Sequence, residues 1–311
     1  MSKSFCKNVG VWMNWDDMRV FLAVARAEGL TAAAPVLKMD PATLGRRVAR
    51  LEASIGGALF VKSPQGYALT SLGERMRDYA AEAEAALAQA VEIGQGPASG
   101  LSGQVRIGAP DGAANFLLPQ VCAAIQRENP DLEVQILALP RVVNLSRREA
   151  DMAITVSPPV AGRLTVQKVT DYQLHLATRR DAVPVKALAD LKGRPIVGYI
   201  PDMIFDKELD YLGNLGVDGV QLASNSVAVQ MQMVRYAGVG IVHDFALPSV
   251  PELTRVLVDQ IALTRSFYLV RHASDRSSAR LTGFADALMR GMRAEVAGLE
   301  AAARLTDAPL I

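Results

Sequence analysis

The chain of 311 residues predicts an α/β protein in three parts: an N-terminal all-α winged helix-turn-helix, a long linker helix, and a C-terminal α/β domain. Three observations carry this. Residues 31–69 spell two short helices, a tight turn and a hairpin, with arginines on one helical face. Residues 72–93 repeat apolar and small side chains in alternating steps of four and three. From residue 105 onward, short apolar strands alternate with helical patterns and turn residues, which is the pattern of a parallel sheet.

The first short helix is expected to be capped by Thr31. It carries Ala32, Ala33, Ala34, Val36 and Leu37, small enough for the next helix to cross closely, while Pro35 is expected to loosen its first turn. Lys38 and Met39 form the turn. The second helix has explicit start chemistry, with Asp40 as N-cap and Pro41 at N1, where a missing N–H is harmless. Leu44, Val48, Leu51 and Ile55 then recur at helical spacing and face the core, turning Thr43, Arg46, Arg47 and Arg50 to solvent.

In helix-turn-helix proteins the second helix enters the major groove, and arginines bridge phosphates or read guanine edges. Base readout is expected from Ala42, Thr43, Arg46 and Arg50, with Thr31 and Arg47 beside them; the pattern does not say which arginine does which. Residues 59–61 and 67–69 flank the turn cluster Ser63-Pro64-Gln65-Gly66, so a two-stranded wing carrying Lys62 and Gln65 toward phosphate or minor groove follows. Alanine-rich helix pairs with surface arginines also occur in proteins that never touch DNA. The ordered series of motifs argues for DNA.

FLAVARAEGLTAAAPVL, ATLGRRVARLE, GALFVK and ALTSLGERM, running in order from Met18 to Met76, together resemble the N-terminal domain of LysR-type transcriptional regulators. The resemblance implies a DNA-binding regulator. Two positions depart from the family pattern: Asp40-Pro41 stands where a Ser-Gln pair is usual, and Gly45 where a serine often follows the hydrophobic position. Asp40 caps but repels phosphate, and Gly45 is expected to bring the backbone nearer to DNA at about 1 kcal/mol of helix propensity. The family's first helix starts near Met13, so residues 1–12 read as an unstructured extension or as an upstream choice of start codon, and 13–71 as the DNA-binding domain.

Ser71-Leu72-Gly73-Glu74 has capping-box spacing and opens the linker helix, residues 72–93. Leu72, Met76, Tyr79, Ala83, Ala86, Ala90 and Ile93 form a heptad seam that suits pairing with a second copy, although small alanines also suit a lone helix lying on its own domain. Family resemblance implies dimerisation here, often with further assembly to tetramers. Gly94-Gln95-Gly96-Pro97-Ala98-Ser99-Gly100 marks a hinge over 94–103.

Beyond it, strands are expected at 105–109, 134–139, 152–156, 172–178, 196–200 and 240–243. Helices are expected at 115–128, near 143–148, and at 205–215, 227–236 and 279–304. With RREADMAI and YAGVGIV in place, this half resembles the family's effector-binding domain, which is built like a periplasmic binding protein. The resemblance implies one domain over 104–304, with subdomain I at about 104–170 and 266–304, subdomain II at about 171–265, and a tail at 305–311.

Ligands of open α/β sheets settle beyond the carboxyl ends of strands, near helix N-termini. The candidate effector residues are therefore Pro110, Asp111, Gly112 and Ala113; Arg141 and Val142; Ile200, Pro201 and Asp202; and Ser224, Asn225 and Ser226. Family members often hold a carboxylate with hydroxyls in the first of these loops, where this chain has Asp111 between Pro110 and Gly112. Asp111 and Asp202 point to a neutral or amine-bearing effector, Arg141 points the other way, and either aspartate also serves as a helix or turn cap.

Net charge is only +1, so DNA affinity must come from a local patch. Cys6 and Cys122 are too few and too distant for a disulfide scaffold or a metal site and suit a reducing cytoplasm. No apolar run spans a membrane, and the N-terminus has no secretion-signal core. His175, His243 and His272 lie apart, with no metal-ligand spacing, phosphate loop or nucleophile motif, so neither an enzyme nor a cofactor is expected. His175 and His243, in or beside apolar strands, read as core histidines. A solute-binding protein or an enzyme with an accessory helical domain is the alternative, and the first 76 residues speak against it. The reading is a cytoplasmic dimer or tetramer whose paired helices bind an inverted repeat in double-stranded DNA, with effector binding shifting their spacing.

Overall fold

The computed structural model describes residues 13–63, 66–94, 100–138, 149–159, 163–204, 206–212, 219–273, 275 and 278–305. The expected extension 1–12, Pro64 and Gln65 at the wing tip, residues 95–99 of the hinge, the 139–148 segment with Arg141, Val142 and the helix expected near 143–148, and the tail from 306 lie outside them. The chain divides into two compact units, one ending at Pro97 and the other beginning at Ala98.

In the first unit, α1 (Trp15–Ala27) starts at Asn14, whose side chain accepts from the Asp16 amide at 2.9 Å. It buries Val20, Phe21, Leu22 and Val24. The next helix, α2 (Leu30–Leu37), takes Gly29 as its N-cap, so the expected cap Thr31 is instead an exposed residue of the first turn. Pro35 forfeits only the bond its missing N–H would make to that exposed turn, and the helix continues through it. Lys38 turns the chain in the left-handed region at φ 52°.

Asp40 caps α3 (Pro41–Ile55) as expected, accepting from the Thr43 amide at 2.8 Å, and Gly56 ends the helix at φ 75°. Leu44, Val48 and Leu51 are buried. The wing is an antiparallel pair, β1 (Phe60–Ser63) and β2 (Gly66–Leu69). Glu52 ties it to α3 by accepting from the amides of Leu59 at 2.7 Å and Phe60 at 3.2 Å.

The long helix α4 (Ser71–Gly94) is capped by Thr70 rather than Ser71. The Thr70 hydroxyl donates to Ala58 O at 2.8 Å and accepts from the Gly73 amide at 2.9 Å, so one side chain joins the wing to the helix start. Gly73 packs directly on the strand entry, where a Cβ would sit 2.1 Å from Leu59 O.

The second unit contains, among the described residues, a nine-stranded sheet ordered β4-β3-β5-β11-β6-β9-β7-β8 with β10 on β6. Its strands are β3 (Gly103–Ala109), β4 (Leu132–Ala138), β5 (Met152–Thr155), β6 (Leu164–Arg179), β7 (Ile196–Gly198), β8 (Leu222–Ala223), β9 (Val239–His243), β10 (Leu253–Arg255) and β11 (Ala262–His272). The expected parallel sheet is realised only at the two ends: β3 pairs parallel with β4 and β5, and β7 with β8 and β9. Between them β6 and β11 form a long antiparallel ladder, so the sheet is mixed.

That ladder carries the chain from one α/β half to the other. Thr170 pairs with Phe267 and Lys168 with Tyr268, leaving Val169 as an extra residue in a bulge. Bulges sharpen local twist and bend the strand that carries them. The Val169 carbonyl accepts from Arg293 Nε at 2.7 Å, on the closing helix α8 (Ala279–Leu305).

Helix boundaries also differ. The expected helix 115–128 is two helices, α5 (Asp111–Phe116) and α6 (Leu118–Glu128), because Pro119 cannot donate to the Asn115 carbonyl and the ladder breaks at Leu117. Asp111, Gly112 and Ala113, expected in a loop, thus form the first turn of α5. The expected helix 205–215 is, in its described part, only a 3-10 turn at Lys207–Leu209. Helix α7 (Val227–Tyr236) matches its expected bounds, started by Ser226, which accepts from the Val229 amide at 3.3 Å.

Candidate functional site

In the first unit, burial of Leu44, Val48 and Leu51 leaves Ala42 and Arg46 exposed on α3, with Thr43 half-buried between them. Asp40 organises this face. Thr43 donates its hydroxyl to Asp40 Oδ2 at 2.6 Å and accepts from Arg46 Nη2 at 3.0 Å. The hydroxyl and amide of Thr43 together hold the Asp40 carboxyl below the usual carboxylate range.

Arg50 and Arg47 are differently placed. Arg50 donates from Nε to Asp17 Oδ2 at 2.6 Å and from Nη2 to Asp17 Oδ1, and Arg47 Nη1 stands 3.6 Å from Oδ1. The Asp17 side chain is only 3% exposed, against 60% for Arg50. The expectation that Arg50 shares free base-reading duty with Arg46 is therefore revised: its side-on edge is committed to a buried carboxylate. Asp17 had a signal in the sequence, since it falls at helical spacing with Val20, Phe21 and Val24, where a carboxylate needs a partner.

Gly45 is revised as well. A Cβ there would point at Leu30 Cδ1 on α2, 3.4 Å away, so the position belongs to the helix contact. Thr31 is exposed, Lys62 lies on β1 with its side chain outside the described set, and Gln65 lies outside the described residues.

On α4 the expected seam divides. Leu72 and Met76 pack against the unit's own core beside buried Ala80 and Ala81, and Arg26 of α1 binds Glu84 at 2.5 Å, so the early turns are taken by α1. Tyr79, 64% exposed, and then Ala83, Ala86 and Ala90 are open, with Leu87 beside them; the side chain of Ile93 lies outside the described set.

In the second unit, the first turns of α5 and α7 meet. Asp111 Oδ2 accepts from Ser226 Oγ at 3.0 Å and from the Ala228 amide at 3.1 Å, and Oδ1 accepts from Asn115 Nδ2 at 2.9 Å. Gly112 and Ala113 are buried behind it, and Pro110 is half-buried. Ser224 is turned into its own loop: its Oγ accepts from the Ser226 amide at 3.1 Å, and its carbonyl accepts from Gln230 Nε2 at 2.7 Å. Asn225 is half-buried alongside. A second contact joins the end of β5 to the 3-10 segment, Ser157 Oγ donating to Asp206.

Of the expected residues at the end of β7, Ile200 is half-buried, Asp202 is exposed, and Pro201 lines a cavity of about 280 Å³. Val197, Tyr199, Tyr211, Gln230 and Ile241 also line it. An aromatic cluster that no local spacing in the sequence signals lies beside it. Tyr199 and Tyr211 meet edge to face at 5.7 Å, Tyr211 Oη lies 3.4 Å from His243 Nε2, and His243 stacks on Tyr172 at 5.5 Å. Burial pushes both cavity tyrosines well above their ordinary pKa and lowers His243 to about 4. His243 Nδ1 is buried without a hydrogen-bond partner among the described residues.

His175 and His243 are indeed in the core. His175 Nδ1 lies 2.9 Å from Asp244, which also accepts from Arg255 at 2.5 Å, tying the 3-10 segment Asp244–Ser249 to the sheet. Cys122 is buried in α6, and desolvation pushes its thiol up to about 12. Among the described residues no cluster of three or more His, Cys, Asp or Glu is placed to hold a metal, and no helix is long and apolar enough to cross a membrane.

A winged helix-turn-helix with an exposed arginine face in one unit, and a two-halved α/β sheet with a ligand-sized cavity in the other, define the class of ligand-responsive DNA-binding proteins. The chain belongs to the LysR family of transcriptional regulators: the model for bacterial regulatory helix-turn-helix proteins of the lysR family matches residues 15–74, and that for the LysR substrate binding domain matches residues 98–293.

Among its relatives is the HTH-type transcriptional regulator PtxR of Pseudomonas aeruginosa, 27% identical over 75% of this chain and 77% of its own length. Another, the Mau operon transcriptional activator of Paracoccus denitrificans, is 29% identical over 55% of this chain and 60% of its own length, so the match spans under two thirds of that relative. Solved structures share the fold. Full-length OxyR from Pseudomonas aeruginosa, a point variant, has a TM-score of 0.65 at 17% identity, covering 90% of this chain and 98% of that one. LysG from Corynebacterium glutamicum, solved with arginine bound as effector, has a TM-score of 0.61 at 20% identity, covering 91% and 99%.

Proposed function

We propose that this chain acts in the cytoplasm as a homo-oligomeric regulator, reading an inverted repeat in double-stranded DNA through α3 and the wing. The observation that carries this is the α3 face itself. Three buried apolar residues fix the helix, and the opposite side presents Ala42, Thr43 and Arg46 to solvent with Arg47 and Arg50 alongside. Two copies pair along α4 from Tyr79 onward, where Ala83, Ala86 and Ala90 allow close helix approach. Paired recognition helices then meet half-sites about one helical turn, roughly 34 Å, or a multiple of it apart.

Enrichment of a random duplex pool on the full chain is expected to yield a dyad of two half-sites, and Tyr79→Glu is expected to lower both the sedimentation mass and the dyad preference. A selected pool with no repeated motif would overturn the reading.

The second unit receives a small molecule between its halves. Asp111 is matched internally by Ser226 and the α7 amide, and Asp202 is exposed, so neither supports an amine-bearing effector. The neighbouring cavity, largely apolar with Tyr199, Tyr211, Gln230 and the carboxylate Asp210 as its polar groups, favours a neutral molecule with one or two hydrogen-bonding groups over an anion. Thermal shifts with matched panels of neutral aromatics, sugars, amines and acids test this. A carboxylate as the sole stabiliser would count against it.

A further inference from the structure

We infer that Arg46 is the base-reading arginine of α3 and that Thr43, oriented by Asp40, is the positioning residue that aims it, whereas Arg47 and Arg50 serve the DNA phosphates. This rests on the reading of α3 as the recognition helix.

The three arginines differ in what leaving their present contacts would strand. Among the described residues, Arg46 hydrogen-bonds the Thr43 hydroxyl alone, at 3.0 Å, in solvent and near the Asp40 charge. Losing that bond leaves an exposed guanidinium that water satisfies at once and a half-buried hydroxyl that still donates to Asp40. Arg50 and Arg47 both answer the Asp17 carboxylate, whose side chain is 3% exposed. A guanidinium that swung from Asp17 to a base edge would strip a buried charge of one of its two partners, a penalty that surface pairs do not incur. Arg50 also spends its Nε and one Nη2 hydrogen on Asp17, leaving the distal part of the guanidinium for a phosphate oxygen.

Thr43 is more than a neighbour of Arg46. A hydroxyl has one proton, and here it goes to Asp40 Oδ2 at 2.6 Å while the Thr43 amide is fixed on Oδ1 at 2.8 Å. The oxygen lone pairs are therefore free for Arg46, and the chain Asp40–Thr43–Arg46 holds the guanidinium along the exposed face in advance of DNA. A pre-set arginine loses less side-chain freedom when it meets a guanine edge, and only a geometrically held fork discriminates between bases.

The test uses the full-length chain and duplexes enriched from a random pool by the wild type. Arg46→Ala is expected to erase the preference at one base pair of each half-site, with a roughly 10- to 100-fold loss on the best sequence and little loss on scrambled DNA. Thr43→Val is expected to broaden preference at that same base pair, Thr43→Ser to restore it, and both to keep the wild-type melting temperature within about 3 °C. Arg50→Ala and Arg47→Ala are expected to weaken all sequences alike and to lower the slope of log affinity against log salt by about one.

The inference is overturned if Arg46→Ala keeps the wild-type sequence preference, if Arg50→Ala changes a base preference, or if Thr43→Val binds as the wild type does. A wild-type chain that enriches no motif overturns the recognition-helix reading together with this one, whereas a motif that survives Arg46→Ala overturns this one alone.

Discussion

The carboxylate of Asp111 accepts a hydrogen bond from the hydroxyl of Ser226 at 3.0 Å, joining the first turn of α5 to the N-cap of α7 across 115 positions of sequence. The Ala228 amide donates to the same oxygen at 3.1 Å. A side chain of the protein thus supplies the negative charge that the start of α7 attracts. Where family resemblance implies hydroxyls that hold a ligand's carboxylate, this chain brings a carboxylate of its own.

Asp111→Ala removes that charge and leaves the α7 amide and Ser226 without their acceptor. A loss of about 1–3 kcal/mol is expected in the C-terminal unit, read by urea denaturation. Faster amide hydrogen exchange at Ala228 should accompany it. Acetate in the tens of millimolar range should recover part of the loss in the variant and none in the wild type. Equal stability of variant and wild type would show that the contact contributes nothing.

His243 makes stability depend on pH. Burial lowers its pKa from 6.5 to about 4 in the folded chain, despite the opposing charge of Asp244, whereas the unfolded chain titrates near 6.5. Between those values the unfolded state binds more protons, so stability is greatest above 6.5 and falls as pH drops toward 4. The difference amounts to about 3 kcal/mol. Denaturation midpoints at pH 7 and pH 4.5 should differ more for the wild type than for His243→Gln, and parallel profiles would exclude the effect.

Gly73 allows α4 to touch the strand entry. With a Cβ placed 2.1 Å from Leu59 O and 3.0 Å from Leu69 Cδ2, Gly73→Ala must displace backbone. A cost of about 1–3 kcal/mol is expected in the N-terminal unit, with weaker DNA binding because the wing shifts with Leu59. A variant that melts with the wild type would contradict the packing described.

Gly45 is the reverse case. Its φ is ordinary, and an added Cβ would meet only Leu30 Cδ1, at 3.4 Å. Gly45→Ala should therefore stabilise α3 by up to about 1 kcal/mol through helix propensity. Since the new methyl points toward α2, affinity for selected duplexes should stay within threefold. A larger loss in a binding titration would place the Gly45 backbone against DNA after all.

The features legible in the chain alone lie within about four residues of the atoms concerned. Asp40-Pro41 set the start of α3 and apolar spacing predicted which side of it is buried, whereas Ser226, expected as an effector contact, is the cap of α7. Capping and helical periodicity are local, so they are legible without the fold. The strand β11 escaped notice because Arg265, Arg271 and His272 interrupt its apolar pattern; Arg271 is buried only because Leu281 O and Thr282 on α8 receive it. Likewise Leu72 and Met76 scan as a dimer seam until α1 is seen to cover them.

Which side chains meet was set by the fold. Arg50 meets Asp17 across 33 positions, Asp111 meets Ser226 across 115, and Tyr211 meets His243 across 32. Such pairings follow from how helices cross and how β6 and β11 register, and no short-range spacing encodes them. The sequence could therefore name the arginines of the reading face, while only the fold could divide them between a surface hydroxyl and a buried carboxylate.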